Sequence, residues 1–139
     1  MTGESESPPS RRALSTADLC LLAVFKRASS EEGYVIGSDE DISDVVASLL
    51  DHAGFAQDPA WQLGSEGRWY LEEVASYTDR LASLNWATAD SPYRFTADGY
   101  HRCARLVEET FASHSGLKDL AEAVDFDLEE SLQRALTNK

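Results

Sequence analysis

Cysteine and proline are both scarce, with two cysteines and four prolines in 139 residues. Cys20 and Cys103 each lie in an apolar, helix-like run, which predicts buried core thiols rather than a disulfide. No apolar run approaches the roughly 20 residues of a bilayer span. The first ten residues carry acids and prolines where a secretory signal carries positive charge. We therefore expect one soluble, cytoplasmic domain with a single hydrophobic core.

Basic residues are also scarce, since 12 lysines and arginines face 25 acids for a formal net charge of -13. This sign opposes that of the usual nucleic-acid binder. The acids are spread over every segment, which is typical of proteins from salt-loving archaea that hold potassium or sodium ions at an acidic surface. At about 1 M salt the Debye length falls to about 3 Å, so distributed acids repel DNA much less. The alternative is an ordinary acidic bacterial protein.

Motifs for catalysis and metal binding are missing as well. There is no nucleophile elbow, phosphate loop, dinucleotide fingerprint or paired-carboxylate motif, so we expect a protein that is not an enzyme and has no cofactor. His101 and Cys103 are two apart on a predicted helix and point to different faces. The acids Asp39, Asp41 and Asp44 lack the glycine and terminal glutamate of a calcium loop, and helix capping explains them better. No metal site is predicted.

Capping signals and apolar spacing predict two helices in the first half of the chain. Ser15 is positioned as the N-cap of the first, with Asp18 in its first turn. Ser38 is positioned to cap the second, which Gly54 ends. Between and around them we predict a flexible arm over 1–13, a minimal strand over 34–36 and a loop over 55–64.

The second half is predicted to hold a third helix over 66–84, a hairpin with strands over 86–88 and 93–95, and a fourth helix capped by Thr96. An amphipathic segment follows Gly116. The fold class is therefore mainly α with a small β-hairpin, in the order helix, strand, helix, helix, hairpin, helix. That is the order of a winged helix-turn-helix with an extra C-terminal helix.

Two patterns in this half carry a family resemblance. Residues 81–86, Leu-Ala-Ser-Leu-Asn-Trp, are similar to the exit from the recognition helix in the PadR and MarR families of winged-helix regulators. Asn85 stands where those families usually have glycine, and asparagine adopts a left-handed cap readily. Residues 93–99, Tyr-Arg-Phe-Thr-Ala-Asp-Gly, resemble the wing exit, where Gly99 would allow close helix packing. Gly33-Tyr34 is similar to the "GY" of PadR proteins.

The resemblance covers residues 13–111 and implies a winged-helix domain over 14–113 that acts in a homodimeric DNA-binding transcription regulator, for example in a stress response. Its recognition helix would be 66–84 and its wing 86–95. The groups that would contact DNA are Arg68, Ser76, Arg80, Ser83, Ser91 and Arg94, with Arg11 and Arg12 on the N-terminal arm. The alternative for Arg80 is ordinary surface pairing with Glu72 or Glu73.

Dimerisation is assigned to residues 114–139. Leu120, Val124, Leu128 and Leu132 keep a four-residue spacing past the end of a winged helix, so their stripe needs a partner subunit or must pack back on its own domain. Trp61 and Trp69 are interpreted as core or interface anchors beside the loop, at a dimer contact or, alternatively, an effector pocket.

One observation opposes DNA binding. Residues 28–67 contain no lysine or arginine, and the second helix would direct Asp39, Glu40 and Asp41 at the phosphates. The competing hypothesis is therefore an acidic winged-helix module that binds a protein or mimics DNA.

Overall fold

Helices dominate the computed structural model, which describes residues 14–30, 32–54, 60–64 and 67–137. None of the helices in these ranges is long and apolar enough to cross a membrane. The elements are α1 (Thr16–Ser30), a 3-10 turn (Glu32–Tyr34), β1 (Val35–Gly37), α2 (Asp39–Ala53), β2 (Trp61–Leu63), β3 (Trp69–Leu71), α3 (Glu72–Ser83), β4 (Tyr93–Arg94), α4 (Ala97–Ser113), α5 (Gly116–Ala123) and α6 (Leu128–Thr137). The predicted arm over 1–13 lies outside the described residues.

The predicted helix caps are confirmed. The Asp41 backbone N–H donates to Ser38 Oγ, and the Ser38 N–H donates to Asp41 Oδ2, both at 3.1 Å. Ser15 and Asp18 form the same reciprocal pair at 2.9 and 3.2 Å. Each pair satisfies two backbone donors that a helix start leaves without a partner. Gly54 ends α2 with a φ of 73°, a left-handed conformation that glycine adopts without strain.

The predicted helix over 66–84 is wrong in its first turns, because Trp69–Leu71 is a strand and α3 begins at Glu72. That strand, β3, pairs antiparallel with β2, which lies inside the predicted loop over 55–64. Aromatic residues favour strands, and the Gly67 N–H donates to the Gly64 carbonyl at 3.1 Å between the two strands. Residues 69–71 therefore form a strand that pairs with β2, and the helix begins only at Glu72.

The second small sheet joins distant parts of the chain. β1 begins one residue later than predicted and pairs antiparallel with β4, with Val35 opposite Arg94. The predicted strand over 86–88 is reduced to an isolated bridge between Ala87 and Phe95, next to a 2.9 Å bond from the Thr88 N–H to the Arg94 carbonyl. The predicted hairpin is therefore present in a shorter form and is completed by β1.

The loop after α3 packs directly on the start of α4. Asn85 has the predicted left-handed conformation, with a φ of 62°. The Gly99 N–H donates to the capping Thr96 Oγ1 at 2.8 Å, as predicted. A Cβ at Gly99 would overlap the carbonyl of Trp86. The glycine therefore permits this close approach, which confirms the packing role predicted for it.

The core centres on α1, which packs against α2, α3 and α4. Phe25 is fully buried at its middle. Cys20 and Cys103 are buried free thiols, as predicted. Burial raises the pKa of Cys20 to about 12 and raises that of Cys103 further. Both cysteines are therefore neutral, apolar parts of the core at physiological pH.

The C-terminal segment forms two helices rather than one. Asp125 has a φ of 57° and breaks the segment, and Asp127 Oδ1 accepts from the Glu130 N–H at 3.1 Å at the start of α6. α5 packs on α2 and α4, and α6 packs on α4. The stripe is buried at Leu120, Leu128 and Leu132 and half-buried at Val124. The alternative that it packs on its own domain is therefore the observed one.

Candidate nucleic-acid interface

The outward face of α3 carries the side chains that the sequence assigns to DNA contact. Ser76, Arg80 and Ser83 are exposed, while Val74, Thr78 and Leu81 are buried against the core. Three acids share the exposed surface of the helix: Glu72, Glu73 and Asp79. The helix therefore presents one arginine among carboxylates.

A single carboxylate joins α3 to β4 and to the start of α2. The Thr78 hydroxyl donates to Asp39 Oδ1 at 2.8 Å, and the Tyr93 hydroxyl donates to Asp39 Oδ2 at 3.5 Å. Burial raises the pKa of Asp39, although the hydrogen bond from Thr78 favours its charged form. Sequence reasoning missed this contact because residues 39, 78 and 93 are far apart in the chain. It fixes the relative positions of α3 and β4.

Arg68 is placed differently from the prediction. It precedes β3 instead of lying on a recognition helix, and its guanidinium reaches Asp41 and Asp44 at 3.1 Å each. These carboxylates raise the pKa of Arg68. Desolvation alone would raise the pKa of Asp41, but the Ser38 backbone and Arg68 hydrogen bonds lower it overall. Arg68 thus anchors the β2–β3 hairpin to α2.

Arg80 and Arg94 remain available, because neither forms an ion pair with another residue that the structure describes. The alternative that Arg80 pairs with Glu72 or Glu73 is not observed within that part of the chain. Most other cations there are held by acids. The pairs are Arg27–Asp41, Arg102–Asp98, Lys118–Glu129 and Arg134–Glu130.

The tip between the bridge and β4 is polar and exposed. Ser91 lies there beside Asp90, and Arg94 follows on β4, where its backbone N–H donates to Thr88 Oγ1 at 3.0 Å. Arg94 is exposed, and its guanidinium carbon would be 3.8 Å from a Cβ at Gly33. Arg11 and Arg12 lie outside the described residues.

The tryptophans of the hairpin are not core residues. Trp61 is 37% exposed and Trp69 is 56% exposed, so the prediction of core anchoring is wrong for both. Trp86, by contrast, is half-buried against the core. With Asp44 and Arg68, the two hairpin tryptophans line a shallow apolar groove. This is where the sequence predicts a dimer contact or an effector pocket.

Within residues 14–30, 32–54, 60–64 and 67–137, no three His, Cys, Asp or Glu side chains are grouped as metal ligands would be. No protein-family model, curated protein or solved structure matches the chain.

Proposed function

We propose that this chain is a salt-adapted winged-helix transcription regulator that binds duplex DNA as a homodimer, with α3 as the recognition helix and the segment from Trp86 to Phe95 as the wing. The element order and the pairing of β1 with β4 support the winged-helix assignment. The β2–β3 hairpin is an addition between the second and third helices of that plan.

The observation that carries the proposal is that the guanidiniums of Arg80 and Arg94 form no ion pair within the part of the chain that the structure describes. Thr78 and Tyr93 both bond to Asp39, on the inner side of α3 and β4. Two residues along a helix turn the side chain by roughly 200°, so Arg80 points away from this contact. Arg94 follows Tyr93 in a strand, where successive side chains take opposite faces. Both arginines thus face outward from elements that Asp39 joins, in an arrangement that suits contact with one duplex.

The acids on α3 determine how such binding depends on salt. Glu72, Glu73 and Asp79 repel phosphates in dilute buffer, and cations must screen or bridge them before the helix approaches DNA. Cation uptake then offsets the counterion release that makes ordinary complexes weaken with salt. We expect an affinity that falls little, or rises, as potassium chloride increases.

The test is a titration of labelled random-sequence duplex DNA with the protein, followed by fluorescence anisotropy in dilute and in multimolar potassium chloride. Arg80→Glu and Arg94→Glu should each weaken binding about tenfold or more, because each replaces a cation that contacts phosphate with a carboxylate that repels it. Arg105→Glu on α4 changes the net charge equally at an exposed arginine that also forms no ion pair with a residue in the described ranges, and it should leave binding unchanged. Failure to form a complex at any salt concentration would overturn the proposal.

The second candidate is a protein-binding module, and the exposed tryptophans of the hairpin favour it. Its activity in cells would tolerate Arg80→Glu and Arg94→Glu. The two substitutions therefore discriminate between a DNA-binding role and a protein-binding one.

A further inference from the structure

One face of the β2–β3 hairpin runs from the core into solvent. Trp61 lies opposite Leu71, and Leu63 lies opposite Trp69, so these four side chains share a face. Leu71 is only 2% exposed, whereas Leu63 is 60% exposed. The hairpin is thus anchored at one end by Leu71, and its other end presents two indoles and a leucine.

The outer edge of β2 has backbone groups directed away from β3. The Glu72 N–H donates to the Ala60 carbonyl at 3.0 Å, and the Gly64 N–H donates to the Arg68 carbonyl at 2.7 Å. Antiparallel pairs alternate between bonded and non-bonded positions. The N–H and C=O groups of Trp61 and Leu63 therefore point outward, and all of β2 is exposed.

The outer edge of β3, in contrast, is partly satisfied by the protein itself. The Leu71 N–H, which also points away from the hairpin, donates to the buried Ser43 Oγ of α2 at 2.8 Å. β3 also packs against α2. Strand addition is therefore favoured at β2 rather than at β3.

One carboxylate lies at the end of β2. The Glu40 carboxylate lies against Gly64, since a Cβ there would overlap its Oε2. Asp44 also lines the groove of the two tryptophans, but Arg68 engages its carboxylate at 3.1 Å. The only cation of the hairpin within residues 60–64 and 67–71 is Arg68, and two carboxylates already engage it. The charge of this surface is complementary to a basic partner.

The size of the surface favours a peptide over a second copy of the chain. An aromatic side chain has about 150–250 Å² of surface, so the exposed fractions of the two tryptophans, with Leu63, present on the order of 300 Å². A stable protein–protein interface needs roughly 800 Å² from each partner. A second copy would also bring a second net charge of -13, which opposes self-association.

We propose that the β2 edge binds an extended, basic segment of a partner protein, which adds a strand to the hairpin. Its backbone bonds to Trp61 and Leu63, its apolar side chains cover the two indoles, and its lysines or arginines take the opposite face, where the carboxylate of Glu40 lies near Gly64. Main-chain hydrogen bonds supply affinity in such strand addition, and alternate side chains supply specificity. Arginine gains further attraction over a tryptophan ring. This role is independent of DNA binding and gives the regulator an input from another protein.

The test uses a synthetic peptide of alternating valine and lysine, titrated into the full chain while tryptophan fluorescence and calorimetry are recorded. The peptide should bind with a blue shift of the emission. Trp69→Ser and Leu63→Ser should each weaken binding about tenfold or more, as expected for buried anchors. Leu106→Ser removes an exposed leucine from α4 and should have no effect.

Two further peptides separate strand addition from general attraction to an acidic protein. The first has the same composition, with its lysines and valines in separate blocks. The second carries N-methyl groups on alternate residues, which remove the hydrogen-bond donors of one edge. Both should bind at least about tenfold more weakly than the alternating peptide. Equal binding of all three peptides, or equal binding to the Leu63→Ser variant, would overturn the proposal.

Sedimentation of the free chain tests whether the hairpin binds a second copy instead. A dimer that Leu63→Ser dissociates would identify a second copy as the occupant and would overturn the peptide assignment. Leu63 lies outside α3 and the wing, so Leu63→Ser should leave DNA affinity unchanged. The DNA titration of this variant therefore separates failure of the peptide proposal from failure of the DNA proposal.

Discussion

Gly99→Ala is a substitution for which helix propensity and packing predict opposite signs. Gly99 lies in the first turn of α4, where alanine should be more favourable than glycine by about 0.5–1 kcal/mol. The added methyl group, however, would meet the carbonyl carbon, the oxygen and the Cα of Trp86. The outcome depends on whether this stretch of backbone can move.

Hydrogen bonds fix the backbone at that point. The Thr96 N–H donates to the Trp86 carbonyl at 2.8 Å, and the Thr96 hydroxyl donates to the same oxygen at 3.3 Å. Overpacking against atoms that cannot relax costs about 1–3 kcal/mol. We therefore expect Gly99→Ala to lower the free energy of unfolding by roughly 1–2 kcal/mol after the gain in propensity is subtracted.

Gly116→Ala is the matched control, because a Cβ at this helical glycine meets no atom within 4 Å. It should be neutral or raise the free energy of unfolding by up to about 1 kcal/mol. Urea denaturation followed by circular dichroism measures both variants against the parent chain. If Gly99→Ala proved as stable as Gly116→Ala, the close packing of the Trp86 loop on α4 would be refuted.

Three further predictions concern the joining carboxylate, the C-terminal stripe and the thiols. Burial raises the pKa of Asp39 in the folded chain above its unfolded value. Between these two pKa values the folded chain binds more protons than the unfolded one, so the free energy of unfolding falls as pH rises. Asp39→Asn removes the titrating carboxyl, so the free energy of unfolding of the variant, relative to the parent in urea titrations, should increase with pH. A difference between the two chains that does not change with pH would contradict the raised pKa of Asp39. Leu132→Ala should cost about 2–5 kcal/mol in unfolding free energy and leave the dependence of Tm on protein concentration as it is in the parent chain, whereas a change in that dependence would indicate burial between subunits. Cys20 and Cys103 should react with a thiol reagent only after unfolding, and rapid labelling of the native chain would contradict their burial.

The helix boundaries at Ser15, Ser38 and Thr96 are predictable from sequence because a cap depends on residues within three positions of one another. The left-handed Asn85 is predictable for the same reason. The break at Asp125 was missed, since the spacing of Leu120, Val124 and Leu128 continues across it as if one helix ran through. The leucine spacing also does not reveal whether the apolar stripe packs against the same chain or against a second subunit.

Longer-range features were not predictable in this way. Tyr70 also fits the helical period that Val74 and Leu81 continue, so the hairpin is decided by pairing with residues 61–63. The engagement of Arg68 by Asp41 and Asp44 depends on that hairpin. The contact of Asp39 with Thr78 and Tyr93 joins three elements, and no local pattern encodes it.

The most direct test of the proposed DNA interface is photo-crosslinking from a cysteine placed on the outward face of α3. The native thiols are buried, so a photoreactive label should attach selectively to Ser76→Cys, or to Ser115→Cys as a control at an exposed position just after α4, far from the wing. With duplex DNA in multimolar potassium chloride, the Ser76→Cys label should form a covalent adduct and the Ser115→Cys label should not. Equal adduct yields from the two positions, or none from Ser76→Cys at any salt concentration, would contradict the account.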